Sequence, residues 1–361
     1  MTEVELLSNI VAATEPPMPK RKDWRIGCVG SGFIMKDCQL TAYRDMGFNP
    51  YGIASRRREN SEAVAKQHGI PNVYDSWMQM LQDENIEILD IAIPPDKQLD
   101  VVREAVKHPN IKGILCQKPL AMSLEDARET VRLCADAGIP MAVNSNMRYD
   151  QSMRALKYVL DQGLLGTPVL ATIEMRAIPH WQTFLQGYDK LEIFGMGIHH
   201  VDIFRYLFGD PEEITTVCRT DPRTQFEHVD GITQFTYKYA NGFMATSLDD
   251  VWAWPNDPCV KDTYIKWRVE GTDGFAKGTA AGPCTPSTAP ARWSSAARRS
   301  RASTFAPSGI PSGSRTPSAA LWPACCAPSR RAGRPRSPAR TTSRPSPASR
   351  PATAPSAKSA P

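Results

Sequence analysis

The chain predicts an α/β protein in two parts: a doubly wound parallel sheet first, then an α+β domain with an open, mainly antiparallel sheet. Three observations carry this. From Trp24 to Tyr149, short runs that are apolar throughout alternate with helical segments, and strands apolar on both faces need helices on both sides of a parallel sheet. After Tyr149 the strand-like runs alternate apolar and polar residues, as in a sheet with one buried face. Beyond Asp273 no Asp or Glu occurs, and Pro, Ala, Ser, Arg and Thr dominate, a composition that builds no core. The expected organisation is a disordered extension over 1–23, a doubly wound domain over 24–149, a second domain over 150–279 and a low-complexity, disordered tail over 280–361.

Taken in order, RIGCV (25–29) reads as a strand that enters a Gly-rich turn and an amphipathic segment to about Met46. YGIAS (51–55) is followed by RENSEAVAKQHG, and IEILDIAIPP (86–95) by KQLDVVREAVKH. KGILCQKP leads into SLEDARETVRLCADAG, in which Ser123 and Asp126 form a capping box and Gly138 ends the helix. PMAVN (140–144) closes the series. In the second part QSMRALKYVLDQG is a helix, PVLATIEMRA a strand and GIHHVDIFRYLFG a helix. EITTVCRT, GITQFTYKYANGFMATSLDDVW and YIKWRVEG are β-rich, and Asn241-Gly242 between two alternating runs is a hairpin signal.

Charge divides the chain in the same way. Residues 274–361 hold 14 of the 43 basic residues and none of the 38 acidic ones, so the body is acidic by nine although the whole chain is at +5. The tail lacks the interleaved aromatics of nucleic-acid arms, and its composition predicts an off-frame product of a GC-rich gene. Nine scattered cysteines without a C-x-x-C pair indicate neither a disulfide framework nor a zinc site. The N-terminal residues lack a secretory pattern and no apolar run reaches membrane-spanning length. The expectation is a soluble, cytoplasmic protein that needs no metal.

GCVGSGFIMKDC places Gly30 and Gly32 between a strand and a helix, where a dinucleotide pyrophosphate meets backbone N–H groups. The third position of this fingerprint, usually Gly or Ala, is Met35. The second strand ends in ASRRR: Ser55 and Arg56 stand where an NAD site carries an acidic residue, and a hydroxyl beside cations suits the 2′-phosphate of NADP. NADP is therefore expected over NAD. Lys118 follows a buried strand in GILCQKPLAMS, and ligands of such sheets bind outside the carboxyl ends of the strands. An ammonium there can stabilise alkoxide charge in a dry cleft.

The order GSGF, AIPP, CQKPLA, NMRYD, GIHHVD over residues 24–275 resembles the Gfo/Idh/MocA family of glucose-fructose oxidoreductases and inositol dehydrogenases. The resemblance implies a Rossmann domain, a C-terminal open-sheet domain and oxidation or reduction of a sugar or cyclic polyol by NAD(P). It implies that Lys118 stands beside the nicotinamide and binds the reacting oxygen, and that His199 takes the hydroxyl proton. It extends the coenzyme contacts to Phe33, Ile34, Pro94, Gln98, Gln117 and Asn146. Substrate contacts are expected from Arg148, Tyr149, His180, Trp181, His200 and Asp202. Three positions depart from the family pattern: Gln117 replaces a Glu, Gly195 stands where many members carry Asp, and Gln98 where many carry His. Members often form homo-oligomers through the open sheet, which the altered C-terminal sequence makes doubtful here. Two other readings are a family member that senses NAD(P) without turnover, and nucleic-acid binding by the Arg-rich tail.

Overall fold

The computed structural model describes residues 2–176, 183–251, 264–280 and 293–297. Helix α1 (Glu3–Thr14) precedes β1 (Arg25–Val29), α2 (Leu40–Met46), β2 (Asn49–Ala54), α3 (Arg58–His68), β3 (Asn72–Tyr74) and α4 (Trp77–Leu81). Next come β4 (Ile88–Ile91), α5 (Pro95–Ala105), β5 (Gly113–Cys116), α6 (Leu124–Asp136) and β6 (Met141–Val143). The six strands form one parallel sheet in the order β3-β2-β1-β4-β5-β6. The order reverses between β1 and β4, so the chain leaves these two strands in opposite directions and a crevice opens at their carboxyl ends. One face is covered by a cluster including Leu89, Ile91, Val101, Val102 and Ile114. The other is covered by Ile26, Cys28, Met35, Leu40, Ile53 and Val64. Apolar residues on both sides of each strand thus find cover, as their patterning requires.

The second part comprises α7 (Gln151–Asp161), β7 (Pro168–Arg176), α8 (Ile198–Phe208), β8 (Glu213–Arg219), β9 (Ile232–Lys238), β10 (Met244–Asp250), β11 (Tyr264–Gly271), β12 (Gly274–Ala280) and β13 (Trp293–Ala297). The seven strands run β13-β12-β11-β7-β10-β9-β8, and neighbours are antiparallel except β7 and β10. The hairpin at Asn241-Gly242 joins β9 to β10 with Lys238 opposite Met244. Gly242 takes φ +81°, a value that favours glycine. One face of the sheet supplies Ile173, Met175, Phe235, Tyr237 and Trp267 to a core shared with α7 and α8. Phe204 of α8 lies with its ring centroid 4.8 Å from that of Tyr237. The other face leaves Leu170, Val217, Met244 and Leu248 exposed. Among the described residues no helix is long and apolar enough to cross a membrane.

Two segments depart from expectation. Residues 1–23 were expected to be disordered, yet α1 forms, because Thr2 and Glu5 complete a reciprocal capping box and an apolar stripe finds a partner. Ile10 is 3% exposed within the second core, Leu6 packs against it, and Arg154 of α7 donates to the Glu15 carbonyl at 2.8 Å. Within the tail, expected to hold no strand, β13 pairs antiparallel with β12; an open sheet edge offers its backbone groups to any extended chain, whatever the side chains. The rest of the tail lies outside the described residues.

Candidate active site

Gly30 leaves β1 with φ +108°, and a Cβ there would stand 2.3 Å from the Ala92 carbonyl oxygen. The turn after β1 therefore presses on the turn after β4. Around Gly32 nothing lies within 4 Å of the place a Cβ would take, so the backbone there is open to a ligand. The helix beyond begins as a π-helical turn, Ile34–Gln39, closed by the Leu40 N–H on the Met35 carbonyl. Met35 is completely buried, so the bulky residue at the third fingerprint position fills core space and does not face the turn.

Gly32, Phe33, Ile34, Ala92, Ile93, Pro94, Pro95, Gln117, Lys118 and Phe184 line a cavity of about 300 Å³. Phe33, Ile34, Pro94, Gln117 and Lys118, all expected near a coenzyme, meet in it. Phe184, from a 3-10 turn at Thr183–Gly187, was not foreseen; it directly follows the segment with His180 and Trp181, which lie outside the described residues. A nicotinamide coenzyme fits this site: Gly32 leaves a bare backbone cradle, the walls are apolar, and the buried Gln117 Nε2 has no partner among the described residues, as a group reserved for a ligand would be.

At the outer end of β2, Ser55 Oγ accepts from Ser31 Oγ at 2.9 Å, donates to the Arg57 carbonyl at 2.9 Å and lies 2.7 Å from Ser61 Oγ. Arg58 is held by Glu62 and Asp75. Arg56 and Arg57 are exposed and have no carboxylate partner among the described residues.

Lys118 is aimed by the main chain around it. The Gln117 N–H binds the Ile91 carbonyl, in ladder continuation from β5 to β4. Gln98, fully buried on α5, receives that same N–H on Oε1 at 2.7 Å and sends Nε2 to the carbonyls of Gln117 and Pro119, both at 2.9 Å. Both ends of the Gln98 amide are thus engaged with the lysine turn, and it is not among the residues lining the cavity. The Lys118–Pro119 bond is cis.

The Lys118 ammonium donates to the Gly195 carbonyl at 2.5 Å. The residue as a whole is partly exposed, but its charged end is desolvated, and burial lowers the ammonium to about 8 against the opposing pull of Glu192. His199, 4% exposed on the first turn of α8, is pushed well below the usual imidazole value by burial first and by Lys118 second. The imidazole is therefore neutral near pH 7 and able to accept a proton.

His200, expected to serve structure or to contact substrate, is completely buried, with Nδ1 2.8 Å from Asp249 Oδ1. One step along a helix turns a side chain by about 100°, which parts it from His199; His199 too is not among the residues lining the cavity. Arg148 and Asp202 are brought together, Nε to Oδ2 at 2.6 Å and Nη2 to Oδ1 at 2.5 Å. This fork pins the linker after β6 to α8, and the Asp202 hydrogen bond raises the Arg148 guanidinium further. Asn146 opens the 3-10 turn in that linker, while Tyr149 at its end is 49% exposed.

Comparison with known proteins agrees with this geometry. The family model for the GFO/IDH/MocA oxidoreductases, NAD-binding Rossmann fold, matches residues 24–145, and that for the GFO/IDH/MocA C-terminal domain matches 153–277. The D-apiose dehydrogenase of Rhizobium rhizogenes is 31% identical over 228 residues, 62% of this chain and 64% of its own. That of Paraburkholderia graminis is 30% identical over 207 residues, 56% of this chain and 54% of its own. The chain thus spans between half and two thirds of the length of these relatives. An Agrobacterium radiobacter oxidoreductase, solved with NAD+, L-tartaric acid and magnesium, has a TM-score of 0.69 at 23% identity, covering 84% of this chain and 85% of its own. At that identity the likeness is one of fold.

Proposed function

This chain belongs to the Gfo/Idh/MocA oxidoreductase family, and from that premise we propose that it transfers hydride between a nicotinamide coenzyme and a secondary alcohol or carbonyl of a sugar or cyclic polyol. The observation that carries the reading is the desolvated Lys118 ammonium lining an apolar cavity, with the neutral His199 of α8 within its electrostatic reach. The relatives named D-apiose dehydrogenase support a sugar as substrate. NADP is the preferred coenzyme, because the exposed guanidinium groups of Arg56 and Arg57, without a carboxylate partner among the described residues, follow the Ser31–Ser55–Ser61 hydroxyl cluster. The reaction takes place in the cytoplasm, which keeps thiols such as Cys28 and Cys116 reduced.

When bound, the coenzyme supplies the hydride acceptor or donor. Gly30 and Gly32 give the pyrophosphate a close backbone approach, and Phe33, Ile34 and Pro94 keep water from the ring that Gln117 orients. Lys118 turns from the Gly195 carbonyl to the substrate oxygen and stabilises its developing negative charge, a contribution that is large where water is excluded. His199 takes the hydroxyl proton during oxidation and returns it during reduction.

Lys118→Ala tests the reading. Turnover of a sugar and polyol panel with NADP should fall by about 100-fold or more, with NADPH still bound as followed by its fluorescence. An undiminished rate would remove Lys118 from the chemistry. Coenzyme binding without turnover of any panel member by the unaltered protein would return the sensing role.

A further inference from the structure

Among the described residues, Phe184 is the one wall of the cavity that the second part of the chain supplies. It stands in the 3-10 turn Thr183–Gly187. Its neighbour Leu185 is 6% exposed and belongs to the second core, so the turn is moored by one side chain and leaves the one before it at the cleft. Phe184 itself is 45% exposed. An aromatic ring that borders a cavity and keeps nearly half its surface bare offers that surface to whatever fills the cavity.

The ring is also held from the other side. Tyr188, whose N–H closes the turn on the Leu185 carbonyl at 3.1 Å, sets its ring edge-on to that of Phe184, with centroids 6.4 Å apart and planes at 82°. The Tyr188 hydroxyl then crosses to the first part of the chain and donates to Asp96 Oδ1 at 2.7 Å. Asp96 lies in the first turn of α5, directly after Pro94 and Pro95 of the cavity wall. Its other oxygen, Oδ2, is 3.2 Å from Lys97 Nζ. The Tyr188 hydrogen bond is the first cause that holds the Asp96 carboxyl below its ordinary range, and a helix N-terminus also favours a negative charge. The acceptor is thus a carboxylate near neutral pH, and the bond is of the stronger, charge-assisted kind. Leu185 fixes the turn to the second core, and Tyr188 fixes it to the wall that carries Pro94 and Pro95.

We propose that Phe184 is a substrate-facing, specificity-determining residue and that Tyr188 is its positioning residue: the Tyr188–Asp96 hydrogen bond holds the Phe184 ring in the cavity wall, where it takes the C–H face of a neutral sugar or polyol and opposes a substrate with a carboxylate there. The aliphatic hydrogens of a sugar form an apolar face that an aromatic ring covers, whereas a carboxylate against the same ring loses water and gains no partner. Lys118 meets the reacting oxygen, and Phe184 selects what surrounds it. The role in specificity rests on the function proposed above; the latch does not.

Hydrogen exchange and kinetics test the two parts separately. In the full-length protein without substrate, Tyr188→Phe should raise the exchange rate of the peptide spanning residues 183–189 about tenfold, the factor for a lost hydrogen bond to a charged group. Asp96→Asn, which keeps an acceptor, should raise it less. Unchanged exchange in Tyr188→Phe overturns the latch. For kinetics the probes are the sugar that the panel turns over fastest and the corresponding sugar acid. Phe184→Ala should raise KM for the neutral sugar about tenfold, in the range for uncovering apolar surface, with a smaller change in kcat, and should narrow the preference over the acid by a similar factor. Phe184→Tyr, which keeps the ring, should restore most of both. Tyr188→Phe should raise KM less, and combined with Phe184→Ala it should add nothing, because a positioning residue has no effect once the ring it positions is gone. Additive losses overturn the positioning role, and an unmoved KM in Phe184→Ala overturns the contact. A loss of NADPH affinity in place of the KM effect assigns the ring to the coenzyme and overturns it as well. If the unaltered protein turns over no sugar, the proposed function fails together with the specificity role, while the exchange rate still decides the latch.

Discussion

Two helices meet the cleft, and each enters it through a π-helical turn, Ile34–Gln39 ahead of α2 and Ile193–Gly197 ahead of α8. The first lies on an apolar bed of Met35, Cys38 and Leu40, with one polar cluster in which Asp90 takes hydrogen bonds from Gln39 at 2.9 Å and Tyr43 at 2.6 Å. The second lies on Glu192, His200, Asp230 and Asp249, all fully buried. The difference follows from what each turn presents. A dinucleotide asks for bare backbone and a snug apolar wall, so its support can be grease. An ammonium and an imidazole in a dry cleft need polar surroundings, so theirs cannot.

If the second turn carries the chemistry, His199→Asn should lower kcat by roughly 10²–10⁴-fold, the range for a lost general acid or base, with the NADPH dissociation constant unchanged. A parallel loss of coenzyme affinity would blur the division between the two turns.

The next test concerns the polar cluster under the first turn. Burial raises the Asp90 carboxyl from its ordinary 3.8 to about 7, more than the Tyr43 and Gln39 hydrogen bonds lower it. The folded protein therefore retains a proton that the unfolded chain releases between those values. This stabilisation is complete below pH 4 and lost as pH rises through 7, on the order of 2–4 kcal/mol in all. Urea melts from pH 4 to 8 should show the decline, and Asp90→Asn should flatten it. A flat wild-type profile would mean the first bed is as well compensated as the second.

Gly30→Ala should cost about 1–3 kcal/mol, the scale of a residue forced into a sparsely populated conformation, because its φ and the Ala92 carbonyl both oppose a Cβ. Weaker NADPH binding should accompany the loss in the same denaturation and fluorescence titrations. The smallest effect is expected at the rim. Arg56→Ala should weaken NADPH about tenfold, near the lower end for a hydrogen bond to a charged group, and leave NADH unchanged; equal loss for both coenzymes would shift the preference elsewhere.

The Rossmann half could be read almost directly, because continuous apolar runs such as ILDI and GILC can only be central parallel strands. Lys118 was visible for the same reason: a charge closing a buried strand has few places to go. The three-residue β3 and the five-residue α4 left too short a pattern to register. Helix α1 had its signal in Thr2 and Glu5, but the composition of the first 23 residues outweighed it. Glu192 was hidden for a different reason. Helical reading assumes 3.6 residues per turn, and a π-helical turn shifts every face that follows it, so the pairing of Glu192 with Gly197, where a Cβ would stand 2.8 Å from the carboxyl, falls outside any 3.6-residue template. Gln98 could be placed near the coenzyme, yet no sequence pattern marks that both its amide ends are spent on the lysine turn.

That clamp has a consequence of its own. A carboxamide offers a donor and an acceptor together, and neither changes over the pH range in which proteins fold. An imidazole at the same place would swap an acceptor for a donor when it charges. With Gln98 the loop that carries Lys118 keeps one shape while the proton inventory of the cleft varies, so conformation and ionisation are insulated from each other at the point where the two domains meet.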